Sequence, residues 1–116
     1  MHDSPSTLLE RINMNITSGW RLEVATINGR IVGFIATKPT HKTLDQLFVS
    51  PEAQACGVGA ILLDRAKQQL APSFTLRTPV TNVAGQRFYE RHGLRAIRDG
   101  PHHVSGDMVR YFEWRQ

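Results

Sequence analysis

The segment Gln54-Ala55-Cys56-Gly57-Val58-Gly59-Ala60 lies between a strand-like apolar run and an amphipathic helical one. Glycine at 57 and 59 lets the backbone come close to a ligand with no Cβ in the way. The first N–H groups of a helix that starts here have no intrahelical partner, and together they carry about half a positive charge. A phosphate or pyrophosphate is the ligand such a helix start accepts; the plainer reading of two glycines before a helix is a tight turn. The segment is not a P-loop, because no Gly-Lys-Ser/Thr follows it. It also lacks the Gly-x-Gly-x-x-Gly spacing of a dinucleotide fingerprint.

Asn82 precedes a second helical run and suits an N-cap, and Phe88-Tyr89 near the end of that run suits packing with a phenol that reaches water. Cys56 is the single cysteine, so an intrachain disulfide is excluded and a Cys-rich metal site is absent. His102 and His103 are adjacent; in an extended loop they point to opposite sides, and two such residues alone do not make a metal site.

The elements that must position these residues follow from periodicity. Residues 5–14 (PSTLLERINM) read as a short amphipathic helix with Ser4 as N-cap, Pro5 in its first turn and Leu8, Leu9 and Ile12 on its apolar face. Residues 20–27 and 30–37 flank Asn28-Gly29, the strongest short-range signal for a hairpin, because a type I′ turn needs positive φ at both positions. Pro39 ends the second strand. A third strand spans 42–49, and its pleat places Thr43, Asp45, Leu47 and Val49 on one face and Leu44, Gln46 and Phe48 on the other. A helix follows over about 57–70, with Ile61, Leu62, Ala66 and Leu70 inward. Then come a strand over 73–78, a helix over 83–92 with Gly93 as its C′ residue, and two edge strands at about 94–98 and 108–115. The order predicts a single α/β (α+β) domain over 1–116, with a mixed sheet and flanking helices.

Two motifs in this order carry a family resemblance. Gln54-x-x-Gly57-x-Gly59, with the strand before it and the helix after it, resembles the Gln/Arg-x-x-Gly-x-Gly/Ala signature of GNAT N-acetyltransferases. About 25 residues further on, Asn82-Val83-Ala84-Gly85-Gln86-Arg87-Phe88-Tyr89-Glu90-Arg91-His92-Gly93-Leu94 is similar to that family's second segment. The Asn28-Gly29 hairpin matches the turn between the family's second and third strands, so the resemblance covers roughly residues 20–115.

The resemblance implies a GNAT-type fold, with a mostly antiparallel twisted sheet flanked by helices, and acetyl-CoA as co-substrate with no metal. It implies that the amides of Gly57, Val58, Gly59 and Ala60, beside Gln54 and Cys56, hold the pyrophosphate. The backbone of Leu47, Phe48 and Val49 would pair with the pantetheine arm as an added strand does. Asn82 would hydrogen-bond that arm, with its cap role as the alternative. Tyr89 would serve as general acid toward the departing thiolate, since a phenol near pKa 10 matches a thiol near 8.5. The acceptor would be a primary amine of a small molecule or peptide, attacking directly. Asp45 is the best candidate to take its proton, with Thr43 and His41 near the same face and a solvated carboxylate as the plainer reading.

Three departures qualify this. Ala55 and Cys56 stand where many members carry Gly and Arg/Lys, so one cationic contact is missing, and Cys56 reads as a small packing residue without a paired base. Only residues 1–19 precede the hairpin, so the family's first strand and first helix are expected to be missing. An uncovered sheet edge then predicts a homodimer, with 5–14 and the aromatic strand 108–115 (Tyr111, Phe112, Trp114) as contact elements. The alternative function is a catalytically inactive CoA-binding sensor or partner module.

Composition agrees with a soluble globular protein: 116 residues, 41% hydrophobic and 21% charged. The net charge of +4 suits an anionic ligand, and without a Lys/Arg run no nucleic-acid partner is expected. No apolar stretch approaches a membrane span, and Asp3, Pro5, Glu10 and Arg11 interrupt any leader-like core. A cytoplasmic location is therefore the expectation.

Overall fold

The structure, a computed structural model, describes residues 9–16 and 19–116. Seven strands form one sheet in the order β1-β2-β3-β4-β5-β7-β6. They are β1 (Leu9–Ile16), β2 (Trp20–Ile27), β3 (Arg30–Lys38), β4 (Thr43–Val49), β5 (Ser73–Pro79), β6 (Arg95–Pro101) and β7 (Met108–Arg115). Helix α1 (Val58–Leu70) joins β4 to β5, and helix α2 (Val83–Arg91) joins β5 to β6. All pairings are antiparallel except β4 with β5. Among the described residues no helix is long and apolar enough to cross a membrane.

The Asn28-Gly29 turn is as expected, with φ 53° and 77° at its two positions. Helix α1 lies over β3 and β4. It buries Val58, Leu62, Leu63, Ala66 and Leu70 against Ile35, Leu44, Val49 and Phe74, so Leu63 takes the inward place expected for Ile61. A polar network beside this core ties the helix to β2 and β3. Glu23 of β2, only 1% exposed, accepts hydrogen bonds from Arg65 Nε (2.8 Å) and Gln69 Nε2, and Thr37 of β3 donates to Gln69.

Three expectations are corrected. Residues 9–14 are not helical: they belong to β1, which pairs with β2 from Leu9↔Ile27 to Ile16↔Trp20. Residues 5–8 lie outside the described residues. The run Ile12-Asn13-Met14-Asn15-Ile16 alternates with period 2, and a ready partner in β2 makes that period decisive over a short helix, which is marginal by itself. A strand therefore precedes the hairpin after all. Finally, β7 is not an edge strand. It lies between β5 and β6, Phe112 is fully buried in the core, Trp114 packs on Phe74 and Tyr111 stacks under Arg98. Its aromatic content reflects an interior strand, and β6 alone forms that edge.

Candidate active site

Beyond one register pair, Thr43↔Thr75, β4 and β5 part, while on its other edge β5 keeps a full antiparallel ladder with β7. The edge of β4 from Asp45 to Val49 has no strand partner on that side, and a cleft of about 830 Å³ occupies the parting. Its walls include Asp45 and Leu47 from β4, Arg77 and Thr78 from β5, and Asn82 and Tyr89 from α2 and its entry. The loop between β6 and β7 adds His102, Ser105 and Asp107. A second space of about 370 Å³ continues toward α1 between Leu47, Val49, Gln54, Gly59, Phe88 and Tyr89. Leu47, Asn82 and Tyr89 line both.

At the α1 end, Gly57 adopts φ 80° and no side chain caps the helix. The first intrahelical bond is Ile61 N–H to Gly57 O, which leaves the amides of Val58, Gly59 and Ala60 ahead of the ladder. A Cβ at Gly57 would meet open space, so its requirement is the left-handed backbone alone. A Cβ at Gly59 would come 3.3 Å from the Phe88 ring, so this glycine lets α1 close onto α2. Val58 is completely buried, its side chain in the core. Gln54 donates to the carbonyl of Val49, pinning the turn Pro51–Cys56 to the end of β4. Ala60 is half-buried, and Cys56 is exposed and not part of the cleft wall.

The pleat of β4 differs from a regular strand. Thr37 pairs with Leu44 and Ala36 with Gln46, so Asp45 is an extra residue in a β-bulge. The bulge resets the alternation: Leu44, not Asp45, joins Leu47 and Val49 in the core. Asp45 is freed to face the cleft, where its Oδ1 lies 3.7 Å from Arg77 Nη2. Phe48 projects from the opposite face against Phe34, 48% exposed, so it can offer a ligand only backbone. His41 sits exposed in the short turn Pro39–His41, outside the cleft wall.

Asn82 caps α2, accepting from the Gly85 amide at 3.1 Å and donating to Thr78 Oγ1 at 3.0 Å. Gly85 is needed for this, since a Cβ there would fall 2.8 Å from Asn82 Cγ. Tyr89 packs on Phe88 and Phe112 with ring centroids 5.5 and 5.7 Å away. Burial pushes its phenol above the ordinary value of 10.0. Sequence reasoning missed Arg77, Thr78 and the loop residues, and a basic residue inside the otherwise uncharged strand Ser73–Pro79 was the available signal. His102 and His103 do not diverge as expected: their rings stack at 4.7 Å, because His102 Nδ1 accepts from the amides of Val104 and Ser105 and curls the loop. Among the described residues no group of three His, Cys, Asp or Glu side chains could hold a metal ion.

A parted parallel pair, an unpartnered strand edge and an uncapped glycine-led helix start thus meet around one cleft. Residues 18–95 match the model of the acetyltransferase (GNAT) domain, and the chain belongs to that family. Peptidyl-lysine N-acetyltransferase YjaB of Escherichia coli is 33% identical over 64 residues, 55% of this chain and 42% of YjaB, so the match spans less than half of that relative. Nourseothricin acetyltransferase superposes with a TM-score of 0.74 at 20% identity, over 88% of this chain and 68% of that one. A GNAT family acetyltransferase from Elizabethkingia anophelis, solved with acetyl-CoA bound, gives 0.76 at 13% identity, over 94% of this chain and 99% of that one. These structures share the fold.

Proposed function

We infer that the chain is an N-acetyltransferase that moves the acetyl group of acetyl-CoA directly to a primary amine. The observation that carries this reading is Tyr89, half-buried at the junction of the two parts of the cleft. Acetyl-CoA supplies an activated thioester. The amides of Val58, Gly59 and Ala60 bind and orient its pyrophosphate, with the left-handed Gly57 and the nearby Gln54 and Cys56 shaping the approach. The open edge of Leu47, Phe48 and Val49 receives an extended ligand through backbone hydrogen bonds. Asn82 keeps its cap bonds and has one further N–H to offer. Tyr89 keeps its proton because burial disfavours the phenolate, and it donates that proton where thiolate charge develops. Asp45 accepts a proton from the incoming ammonium. The only thiol lies outside the cleft wall, which supports direct attack over a cysteine-bound intermediate. The exposed thiol also suits a reducing, cytoplasmic setting.

A CoA-binding module without turnover is the second reading, favoured by the uncharged Ala55 and Cys56 at the helix start. Incubation with isotopically labelled acetyl-CoA and a panel of primary amines separates the two. Label in an acetylated amine supports the enzyme; CoA binding without transfer to any amine supports the module.

The homodimer belongs to this reading too, on a different basis from β7. The sheet face opposite α1 carries Val24, Phe34 and Phe48 in register across three strands, with Phe48 half-exposed. Pairing of two copies through this face removes that apolar surface from water.

A further inference from the structure

The cleft contains a partly buried ion pair that is not closed by a hydrogen bond. Asp45 and Arg77 face each other across the opening between β4 and β5, with side chains 14% and 27% exposed. Their closest approach, 3.7 Å, is longer than a hydrogen bond, and no hydrogen bond joins them. Two other pairs are as long, Arg30–Glu52 and Arg95–Glu113 at 3.8 Å, but their arginines lie 80% and 76% exposed on the surface and not in the cleft. The other, more buried pairs are bonded. Arg110 grips Asp99 through two bonds of 2.8 and 3.0 Å, and Arg65 donates to Glu23 at 2.8 Å. Those pairs are closed and hold elements together. The Asp45–Arg77 pair holds nothing that the β4–β5 pairing needs, since the strands have already parted there.

A carboxylate and a guanidinium side by side, with bonding capacity unspent, are complementary to a ligand carrying both charges in the opposite order. We propose that this pair is the acceptor subsite, and that the acceptor is an α-amino acid. Its ammonium lies at Asp45 and its carboxylate on the fork of Arg77. Arg77 suits a carboxylate because its planar N–H groups match the two oxygens. The bulge that expels Asp45 from the core is what makes the opposed placement possible. His102 completes the wall. Its Nδ1 accepts two backbone amides, so the neutral ring carries its proton on Nε2 as a donor rather than a base. Asp107 on the same loop leaves the far wall acidic and so disfavours a second carboxylate there.

The inference rests on the transferase reading, and its test uses two readouts. In the transfer assay each of the twenty L-amino acids is compared with its amide and with a lysine-containing peptide. The proposal expects one or a few amino acids to be preferred over their amides by about 10- to 100-fold, the scale of one charge-assisted hydrogen bond. Arg77→Gln should collapse that preference to within about 3-fold, while Arg77→Lys retains part of it. In the second readout, equilibrium binding of the same amino acids is measured by calorimetry in the presence of CoA. Binding lost in Arg77→Gln supports the subsite even if turnover is absent. Equal use of acids, amides and peptide overturns the proposal and leaves the transferase intact. Absence of both transfer and amino-acid binding overturns the proposal too, and retained CoA binding then favours the module.

Discussion

Tyr89 earns its assignment from two properties that act together: it sits where both parts of the cleft meet, and burial holds it neutral. Tyr89→Phe is expected to lower kcat by about 10²-fold, within the range of general-acid effects, with acetyl-CoA affinity unchanged in a binding titration. The sign of its titration also fixes a stability effect. The folded-state phenol titrates above its unfolded value of 10.0, so its contribution to stability is complete below pH 10 and is lost as the pH rises through the folded value. Denaturant midpoints measured between pH 9 and pH 11 should fall more steeply for the wild type than for Tyr89→Phe. At this scale the sequence was partly legible. The glycine and Asn-to-Tyr motifs name a loop and a helix that border the cleft, and Asp45 lines it. It gets there by a β-bulge that a regular pleat does not predict, and Arg77 had no motif to announce it.

At the scale of elements, glycines 57 and 59 serve different ends. Gly57→Ala should cost about 1 kcal/mol through its positive φ while its Cβ meets open space. Gly59→Val pushes on Phe88 and also fills the approach to the α1 amides, so it should abolish the thermal stabilisation given by acetyl-CoA. Scanning calorimetry with and without the ligand checks both. Glu23 tests the polar contact of α1 with β2. Glu23→Ala leaves Arg65 and Gln69 without their buried acceptor and should destabilise by about 3–5 kcal/mol in urea unfolding, the scale of a broken buried ion pair. The β2–β3 hairpin and both helices were legible because turn chemistry and caps are local. The first strand was misread because eight residues fit both periods until β2 is there to pair with them.

At the scale of the whole molecule, the sheet must both close a core and stay open at one seam. The α1 crossover and the Thr43–Thr75 pair hold β4 and β5 in one sheet, the β5–β7 ladder secures the other edge of β5, and the cleft opens where β4 and β5 part. Such non-local arrangements are invisible to periodicity, and only the family resemblance reached them. The same limit explains β7, whose aromatic residues fit an interfacial edge from sequence alone and an interior strand once the order is known. The proposed dimer rests on the Val24–Phe34–Phe48 face, and light scattering at micromolar concentration should give twice the 13.1 kDa chain mass. Phe48→Lys should shift that mass toward the monomer, whereas a wild-type monomer contradicts the dimer.

The central claim is that one ligand lies along the β4 edge with its phosphates at the start of α1. Backbone amide NMR during titration with acetyl-CoA reads this most directly. The account predicts that the amides of Val58, Gly59 and Ala60 shift together with those of Leu47, Phe48 and Val49, with one affinity, while the turn at Asn28-Gly29 stays unchanged. Unmoved amides at either site under saturating acetyl-CoA, or shifts confined to another face of the sheet, would contradict it.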